Sequence, residues 1–129
     1  MRVYAAELAR KCGSDEAGEA AMHRMLGHYL HSACAARLLI QPLAFPLEPV
    51  PVLPGVRPEE PGDLEHAMAW FAVERPVLLS VLGAAVRSHF DRYALQLPLA
   101  MSLYLQLTGQ WQEWIDTLHA SLAAARRLG

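Results

Sequence analysis

Three side chains of the stretch MHRMLGHYLHSACAARLLIQP, His28, His31 and Cys34, recur at steps of three, with His23 close by. Imidazole and thiolate are the usual zinc ligands, so the spacing raises metal binding first. On a helix, each step of three drifts by about 60° around the axis, so His28 and Cys34 diverge rather than converge. A structural zinc site needs four converging ligands, so surface and boundary histidines explain the pattern more simply. Ser80 with His89 and Asp91, or Cys34 with its histidines, would give a nucleophile, a base and an orienting acid. No nucleophile elbow accompanies either set, and no GxxxxGK[ST] phosphate loop occurs anywhere in the chain. The reading is therefore non-enzymatic, with no metal and no cofactor.

The elements around these residues are helical. A short helix is expected over 2–11, ended by Gly13, with Ser14 or Asp15 capping the next. In that next helix Met22, Leu26, Tyr29, Ala33, Ala36 and Ile40 form one stripe at steps of three and four. Arg24, His28, His31 and Arg37 lie mostly off that stripe, and Gln41-Pro42 ends it. Seven prolines then crowd into 41–62, which predicts an extended, partly polyproline-II connector. Leu43, Phe45, Leu47, Val50, Val52 and Leu53 are interleaved with them, so the connector should lie against the helices. A PxVP-like recognition ligand is the sharper reading of the same residues.

Helical pattern resumes with Asp63 as cap. Leu64, Ala67, Met68, Trp70 and Phe71 make an apolar face, and Pro76 either opens a new helix or kinks the old one. Leu78, Leu79, Leu82, Ala85 and Val86 follow, then a break near 88–91 with Asp91 as a cap. A helix containing Pro98 runs to Leu107, Thr108-Gly109 turns the chain, and a final helix covers 110–128. The fold class is all-α: about six helices and a long proline-rich connector, in a single domain 1–129. Its parts are N-terminal helices in 1–41, the connector in 42–62 and helical hairpins in 63–129.

Composition narrows the function. A net charge of −2 with no basic stripe gives no footprint for nucleic acid. No apolar run is expected to reach the roughly 18–20 residues that span a bilayer. Cys12 and Cys34 read as reduced thiols in a cytoplasmic protein. Trp70 and Trp111 are expected to fill seams between helices. Trp114 is open between seam and contact surface.

Gly109 in a helix turn, Trp111 two residues on, and Leu118 and Leu122 further down resemble a degenerate tetratricopeptide repeat, with Trp114 standing where that family has a small residue. Over a longer span, AMAWFAVERPVLLSVL, LTGQWQEW and SLAAARRLG resemble the helical connector and first repeat of actinobacterial NB-ARC–tetratricopeptide (STAND-class) transcriptional regulators. RVYAAELA and the histidine-bearing helix extend the resemblance to the N-terminus. It implies a tetratricopeptide-like α–α superhelix serving protein–protein interaction and signal sensing in transcription regulation. The implied partners are the neighbouring domains of the regulator, another protein, or a second copy of the chain through its C-terminal helices. None of that family's nucleotide-binding residues carries over, because their motifs are absent. In this register Gln96, Leu99, Leu103 and Gln106 line the concave face of the repeat. A repeat ending in AAARRLG lacks a polar capping helix, so an uncovered apolar face is expected at the last helix. A different reading is a small-molecule sensor with an internal apolar pocket.

Overall fold

The computed structural model describes residues 16–43 and 47–129, with side chains from Gly18 onward. Among these the protein is all-α. Four helices, α1 (Glu16–Ile40), α2 (Leu64–Arg87), α3 (Asp91–Leu107) and α4 (Trp111–Leu128), carry the fold. The helix expected over 2–11 and the Ser14/Asp15 cap lie outside the described residues.

The other difference in helix number comes from Pro76. α2 runs unbroken through it for 24 residues, so the two helices expected over 63–89 are one. Proline removes one N–H and leaves the carbonyl four residues earlier without its helical partner. That carbonyl belongs to Ala72, and Ala72, Val73 and Pro76 all lie on the exposed side, where water can serve it. The fused helix overturns a second expectation. By length and composition α2 is apolar enough to cross a membrane, although no short run within it announced this. One side of it packs inside the protein. Phe71, Leu78 and Val81 are buried, and Arg75 at its middle is tied to α4.

Capping follows local chemistry. Asp63 sits in extended backbone, and its Oδ1 accepts the His66 N–H at 2.9 Å, as its position before the helix predicts. Asp91 is not a cap. Phe90 holds that position without a side-chain bond, and Asp91 opens α3, where its carboxylate accepts from Arg127 Nε at 2.8 Å. Pro98 lies past the first turn of α3 and is fully buried.

The core fills the space between α1, α2 and α3. Met22, Leu26, Tyr29, Ala33 and Ala36 of the α1 stripe are buried, while Ile40 is half-buried. Arg37, expected off the stripe, is buried as well. α3 packs against both α1 and α2. α4 packs on α3, touches α2 lightly and does not pack on α1. The helices therefore stack in one direction.

Two turns drive that stacking, and they are twins. Phe90 N donates to Ala85 O at 2.9 Å, and Gln110 N donates to Leu105 O at 2.8 Å, each closing the wide loop that ends a helix in a left-handed residue. That residue is His89 (φ 60°) in the first turn and Gly109 (φ 72°) in the second. Glycine adopts this conformation without strain, whereas histidine does not. A side chain at 109 would meet nothing closer than Trp111 Nε1 at 3.9 Å, so any cost there is conformational. Gly109→Ala should lose about 1 kcal/mol and His89→Gly should gain up to about 1 kcal/mol, read as opposite shifts of the urea midpoint.

Candidate functional site: a strapped helical face and an open groove

The connector is pinned by side chains that reach its main chain. Residues 47–59 cross α1 and α3 in extended form. The Gln96 carboxamide is bidentate: Nε2 donates to Glu48 O at 2.8 Å, and Oε1 accepts from Val50 N–H at 2.9 Å. His31 Nε2 donates to Val50 O at 2.6 Å. Further on, His28 Nδ1 donates to Arg57 O at 3.2 Å, and Ser32 Oγ accepts from Glu59 N–H at 2.8 Å. A carbonyl can only accept, so both histidines present N–H here. The step of three between His28 and His31 thus serves the strap. Val50 is the buried apolar anchor of the strap, at 6% exposure. Gly27 lets it approach: a Cβ there would meet Val52 Cγ1 at 3.4 Å and the Tyr93 hydroxyl at 3.7 Å.

The other chemical candidates do not assemble. Cys34 is half-buried, and desolvation pushes its thiol up to about 11, which makes it a poor nucleophile at neutral pH. Ser80 is exposed on α2, roughly 10 Å along the axis from the helix end that leads to His89. Asp91 is engaged by Arg127 instead. Among the described residues no three metal-ligating side chains come together. Exposed His66 and Asp63 are bonded ring to carboxylate at 2.7 Å. That bond raises the His66 pKa, and the His66 backbone N–H and ring lower that of Asp63. Arg75 does not pair with Glu74. Its Nη1 donates to both carboxylate oxygens of Glu113, at 2.7 and 2.8 Å, and to Gln110 Oε1 at 3.1 Å, tying α2 to α4.

The expected concave face is divided. Gln96, Leu99, Leu103 and Gln106 do share one side of α3, within about 80° at 100° per residue. Gln96, at one edge, is taken by the strap. Leu99 is 38% exposed, and Leu103 and Gln106 are half-buried.

Of the tryptophans, Trp111 departs from its expected role. Trp70 is buried, as expected for a seam, although its indole N–H has no hydrogen-bond partner. Trp111 is 56% exposed and fills no seam. Trp114 is half-buried against the core, and its Nε1 donates to Ser102 Oγ at 2.6 Å, closing α4 onto α3. α4 meets α3 through Trp114 and the small residues Thr117, Ser121 and Ala124. Its large residues Trp111, Ile115, Leu118 and Leu122 form a neighbouring stripe at steps of four, three and four. Ile115 and Leu122 are 44% and 49% exposed.

Helical geometry puts that stripe on the side of α4 opposite Glu113 and Ala120. Those two face α2, through Arg75 and through an open concavity of about 330 Å³ that includes Leu79, Leu82 and Ala120. The stripe therefore faces away from the rest of the stack. By the same geometry it lies on the side of the α3–α4 pair that Leu99 and Leu103 also border, and Leu99, Trp111, Ile115 and Leu122 are exposed there. Scans of family models, curated proteins and solved structures return no match for this chain.

Proposed function

We propose that the chain is a non-catalytic helical-repeat platform for protein–protein interaction and signal sensing, in the manner of the tetratricopeptide-like part of a bacterial transcriptional regulator working in the cytoplasm. In this reading α1–α2 and α3–α4 are successive helix pairs, and the connector is a long insertion within the first. The twin turns and the one-way stacking support it. The observation that carries it is the exposure of Leu99, Trp111, Ile115 and Leu122, which with Leu103 would line an open groove between α3 and α4. Its occupant is an amphipathic helix laid in the groove as α3 is laid on the first pair. A neighbouring domain or partner supplies that helix, and in the isolated chain a second copy does. A partner that prefers the open groove shifts the balance between states of the larger assembly, which is how binding becomes a signal. Three concavities lined by described residues are open to solvent.

Light scattering across a concentration series tests it. The chain should show a dimer that Leu99→Glu together with Ile115→Glu turns into a monomer with unchanged helical circular dichroism. A wild-type monomer at every concentration would sink the groove as a docking surface.

A further inference from the structure

The strap offers a second binding surface. The side-chain bonds to it described above all reach its backbone: Glu48 O, Val50 N–H and O, Arg57 O and Glu59 N–H. Four side chains on two helices make these bonds. Gln96 does so as the edge of a neighbouring strand would, offering one donor and one acceptor to a single extended stretch. One aliphatic side chain, Val50, is buried, whereas Pro51, Pro54, Arg57 and Glu59 are exposed. A turn at Pro54-Gly55, with Gly55 at φ 90° and Val56 N–H donating to Leu53 O at 3.3 Å, separates the two docking points. The segment is thus held as a bound peptide is held. Its affinity comes from main-chain bonds and one anchor, with its shape set in advance by proline.

We propose that the α1–α3 face is a docking site for an extended, proline-containing peptide with an aliphatic anchor, and that residues 47–59 fill it in cis as a competitor. The inference rests on the platform reading and gives it a second partner class, distinct from the helix that the α3–α4 groove takes. A partner segment with the same backbone course and a valine-like residue at the Val50 position displaces the strap and takes over the bonds of Gln96, His31, His28 and Ser32.

The test uses a fluorescein-labelled peptide, LEPVPVLPGVRPE, the sequence of 47–59. Fluorescence polarisation measures its binding to the full chain and to a variant whose residues 47–59 are replaced by a Gly/Ser sequence of equal length. A tethered strap competes at an effective concentration on the order of millimolar, so the variant should bind at least ~10-fold more tightly than the wild type. Adding Gln96→Ala to the variant should weaken binding about tenfold, the effect of two lost hydrogen bonds. A folded variant that fails to bind, or that binds equally well without Gln96, overturns the proposal. So does a variant that loses its helical circular dichroism, because the strap is then a fixed part of the core. Light scattering on the same variants reports on the α3–α4 groove independently. Peptide binding without self-association would leave the strap site standing and remove the helix groove.

Discussion

Phe71→Ala should lower stability by about 3–5 kcal/mol, the largest single loss expected in this chain. Phe71 is 1% exposed and stacks on Tyr104 of α3, with ring centroids 5.0 Å apart and planes 17° from parallel. It also meets Trp70 edge-on at 5.2 Å. Removing the ring opens a cavity where α2 meets α3, and rigid neighbours on both sides limit collapse. A domain of this size has about 5–15 kcal/mol in all, so the variant should sit close to unfolding at room temperature. Urea denaturation followed by circular dichroism reads the change. Val73→Ala is the matched control: that side chain, two residues along α2, is 54% exposed, and its truncation should change stability by no more than about 0.5 kcal/mol. Comparable losses in the two variants would mean that Val73 packs in solution against something that buries it.

Ala124→Leu should cost about 1–3 kcal/mol by overpacking. Ala124 is 0% exposed in the face that α4 presents to α3. Close approach there lets Ser121 Oγ donate to Leu95 O at 2.7 Å and Trp114 Nε1 reach Ser102. A leucine at 124 pushes the helices apart and breaks both bonds. The loss should appear as a lower melting temperature together with a red shift of tryptophan emission, as Trp114 gains water. Ala123→Leu, one residue away and exposed, should leave both unchanged. If Ala124→Leu proved neutral, the seam between α3 and α4 would be looser than its small residues indicate.

These two positions also show what the sequence carries and what it does not. The α1 stripe, the Asp63 cap and the Gly109 turn were legible because each depends on neighbours within a turn or two. Pro76 was left open between a new helix and a kink, because the penalty for an internal proline depends on whether water reaches the freed carbonyl, which is a tertiary fact. In α4 the four large residues Trp111, Ile115, Leu118 and Leu122 make the obvious apolar stripe, yet the helix packs by the adjacent small ones. Close packing selects small side chains, and size-weighted patterns overlook them. His28 and His31 were visible as a pair, but their partners are main-chain groups 29 and 19 residues away, and no side-chain letter marks a carbonyl. Gln96 was expected to face an open groove, whereas it is claimed by the strap, which could not be aligned from spacing alone.

The strap has one more consequence, for how the chain can change over generations. Its docking groups belong to the peptide backbone, so they are the same whatever residue occupies each position. Substitution within it is constrained by the need to stay extended, to turn at Pro54-Gly55, to keep an aliphatic residue at 50 and to fit the half-buried positions 47 and 52. The opposing letters, Gln96, His31, His28 and Ser32, carry the rest of the specification. The connector can therefore drift in spelling while its path is conserved. A library randomised at Leu53, Val56, Arg57 and Pro58 should yield many folded members, whereas the same randomisation at the four clamp residues should yield few.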